Sequence, residues 1–373
     1  MTNGTLPSGR PLVAQFSRAA LRHNASLARS LAAPQRQVLG VVKADAYGHG
    51  LRETVASLRG YVDGFAILEI GAAMAMRQQG VEEPILMLEG FHNPAELLEF
   101  STLGLSTVVH RPDQIEALAV ATLPTPIPVF LKLNTGMNRL GFPLADARAA
   151  FERLRSLPQV AGVTVMTHFA DADHVRGTDW QLQRLLAAWP EAMNARTSFA
   201  NSAALLTGQG DRKTLGDVVR PGIMLYGASP WGAGVPDKTA VVLGLTPVMT
   251  LQSALIAIQE ILPGERVGYG GAFTAERPMR IGVVACGYAD GYPRHATNQT
   301  PILVAGQRTT LTGRVSMDRL CCDVTDISGV QVGSTVTLWG EGLAADEVAD
   351  SAGTIAYELF CALSHRVPRV WHD

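Results

Sequence analysis

Between residue 38 and about residue 228, short apolar runs recur with starts 20 to 35 residues apart, and this rhythm constrains the fold more than any other feature. The runs are Val38–Val42, Gly64–Ile67, Pro84–Leu88, Leu105–Val109, Val129–Leu133, Gly162–Met166, Thr197–Ala200 and Gly222–Leu225. Each has the length of a buried strand, and helix signals lie between them. Ile70-Gly71-Ala72-Ala73-Met74-Ala75-Met76-Arg77 is rich in good helix formers. Asn93-Pro94 and Arg111-Pro112 place proline where a first helical turn tolerates it. Eight such units predict an α/β fold, an N-terminal (β/α)8 TIM-type barrel. An open doubly wound sheet competes, but no GxGxxG follows an early strand.

After the loop-like Trp231-Gly232-Ala233-Gly234-Val235-Pro236-Asp237 the texture changes. Val248–Ile261, Met279–Cys286, Ile302–Val304, Arg319–Val324 and Ser334–Leu338 read as strands between glycine-containing turns, and helical signal returns only from Asp346 to Leu363. The expected organisation is therefore a barrel over 12–235 and a mainly β C-terminal domain over 236–373, with residues 1–11 packing against the latter. A chain of 373 residues with 17% charged and 47% hydrophobic positions suits two compact domains.

A net charge of −2 offers nothing to attract nucleic acid or an anionic membrane. Cys286, Cys321, Cys322 and Cys361 form no CxxC pair and have no metal-ligand spacing, which fits reduced thiols in a cytoplasmic protein without a metal. Met1–Pro11 lacks the apolar core of a signal peptide. Thr239–Gln259 is uncharged, but its Gly, Pro, Thr, Gln and Ser residues argue against a membrane span.

In a barrel the C-terminal strand ends carry the chemistry. The first strand ends on Lys43, followed by Ala44-Asp45-Ala46-Tyr47-Gly48-His49-Gly50. A lysine there loses solvation, which disfavours its charged form and suits a Schiff base with a carbonyl. A lysine snorkelling from a strand end to water is the alternative. Lys132 and Asn134 through Gly141, with Arg139 among them, end the fifth strand. Thr167-His168 end the sixth and Asn201-Ser202 the seventh, and Arg220-Pro221-Gly222 precede the eighth. Taken singly, His168 is more often a structural histidine than a catalyst and Arg220 a salt-bridge partner; their shared position at strand ends shifts that reading. Ser202 opens a helix and Gly222 permits close backbone approach, features that suit a phosphate.

Together these segments resemble the alanine racemase family of fold-type III pyridoxal phosphate (PLP) enzymes over nearly the whole chain. Val42-Lys43-Ala44-Asp45-Ala46-Tyr47-Gly48-His49-Gly50 is similar to that family's cofactor-attachment signature. Thr135–Gly141, Thr167-His168-Phe169, Arg220-Pro221-Gly222, Gly268-Tyr269-Gly270, Gly287-Tyr288-Ala289-Asp290-Gly291 and Ser316-Met317-Asp318 follow in the family's order.

The resemblance implies a homodimer with shared active sites that interconverts L- and D-alanine, serving D-alanine supply for peptidoglycan or alanine catabolism. Lys43 would hold PLP and act as one catalytic base, and Tyr269 of the partner subunit would act as the other. Tyr47, Ser202, Gly222, Ile223 and Tyr357 would hold the phosphate. Arg220 would face the pyridine nitrogen and, never deprotonating, keep it unprotonated. A free tyrosine has a pKa of ~10, so Tyr269 needs nearby positive charge or hydrogen bonds, for which His168 and Arg220 are candidates. Met317 and Asp318 would come from the same partner subunit as Tyr269, Tyr288 would line the entry, and Arg139 would assist near the substrate carboxylate and cofactor. Lys132 would carry a carbamate that orients Arg139. Asn134 departs from the family's common Asp, and Gly271-Ala272-Phe273 departs from the usual tail after the tyrosine. Competing readings are a racemase that also accepts serine, a barrel decarboxylase, a noncatalytic PLP-binding protein, and an aldolase-type lysine without PLP.

Overall fold

The computed structural model describes residues 9–207 and 211–373. The chain divides into two compact units. One runs from Asn24 to Ala46 and from Gly50 to Leu225, and the other holds the described residues up to His23, Tyr47–His49 and Tyr226–Asp373.

The first strand, β1 (Leu12–Ser17), belongs to the second unit rather than to the barrel. The barrel strands are β2 (Gln37–Val41), β3 (Gly64–Ile67), β4 (Ile85–Met87), β5 (Leu105–Val109), β6 (Ile127–Lys132), β7 (Val160–Met166), β8 (Arg196–Ser198) and β9 (Val218–Val219). All pair in parallel, in the order β8-β7-β6-β5-β4-β3-β2-β9. Apart from the start of β7, where Ala161 and Gly162 are exposed, most of their apolar residues are buried, as expected of parallel strands inside a shell of helices. Between β8 and β9 the Asp217 amide donates to the Thr197 carbonyl at 2.8 Å and the Arg220 amide to the Ala200 carbonyl at 2.9 Å, which nearly closes the barrel.

Gly222–Leu225, read from sequence as the eighth strand, is instead mostly a 3-10 turn over Ile223–Tyr226. Pro221 lacks an amide for a ladder, and Ser202 Oγ takes the Gly222 amide at 2.9 Å. The eighth strand is the two-residue β9, so Arg220 follows it rather than preceding it.

The second unit is mainly β. Its strands after the barrel are β10 (Met249–Ile261), β11 (Arg266–Val267), β12 (Phe273–Thr274), β13 (Met279–Val284), β14 (Pro301–Val304), β15 (Gln307–Thr310), β16 (Leu320–Asp323), β17 (Thr335–Trp339) and β18 (Arg369–His372). One sheet runs β15-β14-β17-β10-β1-β18, with β13 and β16 branching from β10. A register shift between Leu255 and Ala257 lets the long β10 pair with β1 and β17 in its first half and β13 in its second. The core includes Trp339 stacked on Tyr292 at 5.9 Å, both fully buried. Among the described residues no helix is long and apolar enough to cross a membrane.

Candidate active site

Lys43 lies two residues beyond β2, at the C-terminal end of the barrel strands, and is half-buried. The chain then turns in the left-handed region, with φ of 53° at Ala44, 52° at Asp45, 54° at Ala46 and 53° at Tyr47. None of these is glycine, and each left-handed residue costs about 1–2 kcal/mol. The turn is held by the Ala46 amide donating to the Val42 carbonyl at 3.0 Å and the Leu51 amide donating to Asp45 Oδ1 at 2.7 Å. Strain of this kind persists where surrounding contacts over-determine the backbone.

Lys132 ends β6 and is buried. Burial, and then the charges of Arg139 and Arg220, push its pKa down to about 8, against a weaker opposing effect of Glu89. Lys132, Asn134, Thr135, Arg139, Thr167 and His168 line one small cleft. Asn134 organises the loop that carries Arg139: its Oδ1 accepts the amides of Gly136 at 3.1 Å and Asn138 at 3.0 Å. Its Nδ2 also donates to Asn138 Oδ1 at 3.0 Å, a bond that an ionised Asp could not donate. Gly136 is required here, because a Cβ would come within 2.3 Å of the Trp180 ring.

Arg220 is buried and bonded only to neutral oxygens. One guanidinium nitrogen donates to Ser198 Oγ, and the other to the carbonyls of Thr167 at 2.8 Å and Phe199 at 3.2 Å. Burial lowers its pKa to about 10, so it stays charged at neutral pH. His168 is held well below its ordinary 6.5 by burial and then by Arg220, Lys132, Arg139 and Lys43. It is therefore neutral at pH 7, so that of the two ways expected to tune a tyrosine its ring offers hydrogen bonding rather than charge.

Ser202 Oγ accepts the Gly222 amide at 2.9 Å and the Met224 amide at 3.4 Å. The Ile223 amide opens the 3-10 turn and has no protein acceptor among the described residues. Thus one hydroxyl and three amides converge.

In the other unit, Tyr47 is buried and stacked on Tyr226 at 4.7 Å, with Tyr357 at 5.9 Å. Burial raises the Tyr47 phenol, keeping it a neutral donor. Tyr269 is 76% exposed on a 3-10 turn between β11 and β12. Arg266 braces that turn by donating to the carbonyls of Gly270 at 2.8 Å and Gly271 at 2.9 Å. Tyr288 and Met317 are also exposed, and their loops are stitched together. The Tyr288 amide donates to the Ser316 carbonyl, and the Ala289 amide to the Met317 carbonyl, both at 3.0 Å.

The site residues therefore fall into two groups, Lys43, Lys132, Arg139, His168, Ser202, Arg220, Gly222 and Ile223 in one unit, and Tyr47, Tyr269, Tyr288, Met317, Asp318 and Tyr357 in the other. Sequence reasoning missed Gln181, a fully buried amide on the helix Asp179–Ala188. Its Nε2 donates to Thr135 Oγ1 at 2.7 Å and to the His168 carbonyl at 3.1 Å, while its Oε1 accepts the Ala170 amide at 2.7 Å. Nothing in its local sequence marks it.

Residues 16–230 match the family model of the alanine racemase N-terminal domain, and residues 248–371 match that of the C-terminal domain. The chain belongs to the alanine racemase family. An alanine racemase of Nitrosomonas eutropha is 50% identical over 97% of this chain and 99% of its own length. That of Cupriavidus necator is 49% identical over 96% of this chain and 95% of its own. The crystal structure of the biosynthetic alanine racemase from Pseudomonas aeruginosa superposes with a TM-score of 0.91 at 46% identity, covering 98% of this chain and 100% of that one. Alanine racemisation is the enzyme activity this membership supports, and the (β/α)8 barrel with a mostly β C-terminal domain is the family's fold.

Proposed function

We propose that the protein interconverts L- and D-alanine by a two-base mechanism in a PLP site shared between the subunits of a homodimer. The observation that carries this reading is the cluster at the barrel's strand ends. Lys43 stands there with a buried cation, and Ser202 Oγ, which accepts the Gly222 amide and keeps its own hydrogen to donate, lies beside the Ile223 amide. The free Ile223 amide and the Ser202 hydroxyl fit a phosphate. The Arg220 Nε–H, which meets no acceptor among the described residues, fits a neutral acceptor such as a pyridine nitrogen.

Racemisation removes the α-proton from one face of the substrate and returns a proton to the other, so two groups must act on opposite faces. Lys43 serves one face and Tyr269 of the partner subunit the other. The 76% exposure of Tyr269 on a braced turn supports that assignment, since a residue serving another subunit must be presented outward. PLP supplies an electron sink for the charge left when the proton departs. Ser202, Gly222 and Ile223, with the hydroxyls of Tyr47 and Tyr357, hold its phosphate, and Lys43 its reactive carbon. Arg139, oriented by a carbamate on Lys132, assists near the substrate carboxylate. Met317 and Asp318 come from the same partner subunit as Tyr269, and Tyr288, on the loop bonded to theirs, lines the entry. His168, neutral and enclosed, packs the site without adding charge. The four free cysteines fit a cytoplasmic setting, and the biosynthetic relative suggests a role in supplying D-alanine for peptidoglycan.

Two measurements test this. Purified protein should show a visible PLP absorbance that borohydride reduction changes and that Lys43→Ala loses. α-Proton exchange in deuterated water, followed over a panel of L- and D-amino acids, should be fastest for alanine. Exchange of serine at an equal rate would broaden the substrate range, and exchange of neither would overturn the function.

A further inference from the structure

Asp290 sits beneath the loops that carry Tyr288, Met317 and Asp318, and its side chain is fully buried. Arg10 grips it bidentately at 2.6 and 2.7 Å, and Arg366 Nε reaches the same carboxylate at 2.7 Å. Its Oδ2 also accepts the Gly287 amide at 2.8 Å, which fixes the start of the Tyr288 turn. The same two arginines reach the neighbouring loop: Arg10 donates to the Asp318 carbonyl at 2.7 Å, and Arg366 to Asp318 Oδ1 at 2.7 Å. The two loops also lie too close for any side chain at Gly287, where a Cβ would meet the Ser316 carbonyl oxygen at 2.3 Å and that of Met317 at 2.4 Å. Arg10 lies just before β1 and Arg366 just before β18, neighbouring parallel strands, so one carboxylate joins both ends of the chain to both loops.

A buried carboxylate has about four acceptor sites to satisfy, and here two arginines and the Gly287 amide fill them. What goes beyond that need is that both arginines also extend to the second loop, at Asp318. Burial would push the Asp290 carboxyl up, but the bonds from Arg10 and Arg366 outweigh it and hold the group below its ordinary range. The clamp is thus charged throughout the neutral range.

We propose that Asp290 is a positioning residue that, through Arg10 and Arg366, fixes the Tyr288 and Met317–Asp318 loops for the active site of the partner subunit. This rests on the reading that those loops and Tyr269 serve the partner. The clamp acts in trans: damage to it in one chain impairs the site that holds the other chain's Lys43.

Mixed dimers with distinct affinity tags test it. The parent pair joins a Lys43→Ala chain to a Tyr269→Phe chain, leaving one site with Lys43 from the second and Tyr269 from the first. Asp290→Asn is then added to either chain. In the Lys43→Ala chain it should lower kcat/KM on the order of tenfold or more, because misplacing a contributing group by about 1 Å can cost a hundredfold. In the Tyr269→Phe chain it should not lower the remaining activity further. Any general folding defect lowers both arms alike, and Arg366→Gln in the same two arms repeats the measurement if Asp290→Asn chains do not assemble. Equal loss in both arms, or loss in neither, overturns the positioning role. No activity in the parent pair overturns the shared-site reading itself, and the proposal with it.

Discussion

With a pKa of about 8, the Lys132 amine at pH 7 is neutral in a fraction of molecules on the order of a hundredfold larger than an exposed lysine. The neutral amine is the form that attacks CO2. Its nitrogen lone pair forms the N–C bond, a proton leaves, and a cation among Arg139 and Arg220 becomes an anion. Activity should therefore fall when CO2 is stripped and return with bicarbonate, with more needed as pH falls through about 8 and the amine protonates. Activity indifferent to CO2 would leave Lys132 as an unmodified cation. In CO2-free buffer the linkage has a definite sign. Burial sets the folded pKa at about 8 against 10.5 for the free group, so the unfolded chain binds more protons between those values. Stability should rise with pH across that window, and the rise should be smaller in Lys132→Met when urea midpoints are compared. Arg220→Glu tests the neighbouring cation. Three oxygens would lose their donor, at about 1–3 kcal/mol each, so its melting temperature should drop. With a stronger electron sink at the pyridine nitrogen, the surviving enzyme should accumulate more transamination product per racemisation turnover. Much of this site was legible in the sequence because lysine, arginine and histidine are conspicuous at strand ends. The neutrality of His168 was not, because it depends on burial first and then on four cations brought together from distant segments.

The left-handed turn after β2 is the element that sets how Lys43 is presented. Ala44 is exposed at φ 53°, so its methyl group gains little from packing while its backbone is strained. Ala44→Gly should relieve that strain in excess of the added freedom of the unfolded chain, raising stability by about 0.5–1 kcal/mol in denaturant titrations. A loss of stability would mean that the turn is not strained at this residue. The left-handed conformation was not readable from Ala44-Asp45-Ala46-Tyr47, of which only Asp45 is of a type that visits positive φ with any frequency. A related failure of local pattern explains the eighth strand. Ile223-Met224-Leu225-Tyr226 is apolar without interruption, and such a run looks the same whether strand or turn, while the true strand has only two residues. The other seven barrel strands were readable because each is a β-rich run bounded by turn residues at crossover spacing.

Across the whole molecule, sequence order and structural membership diverge at the N-terminus. β1 precedes the barrel but lies between β10 and β18, pairing antiparallel with one and parallel with the other. An apolar strand followed by a helix is locally indistinguishable from the first unit of a barrel, so only the long-range pairing reveals where it belongs. Residues 1–8 of the segment expected to pack with the C-terminal domain lie outside the described residues, but Arg10 does pair with Asp290. The consequence is a prediction about autonomy. A fragment spanning 236–373, the expected second domain, lacks the strand that joins β10 to β18 and exposes two unpaired edges. It also loses Arg10, leaving buried Asp290 with Arg366 alone. The fragment should be largely unfolded or aggregated by far-UV circular dichroism and limited proteolysis. Adding a peptide of residues 9–23 in excess should increase its strand content and protease resistance, because β1 completes the sheet and Arg10 restores the clamp. A fragment that folds cooperatively without the peptide would show that β1 decorates this unit rather than completing it.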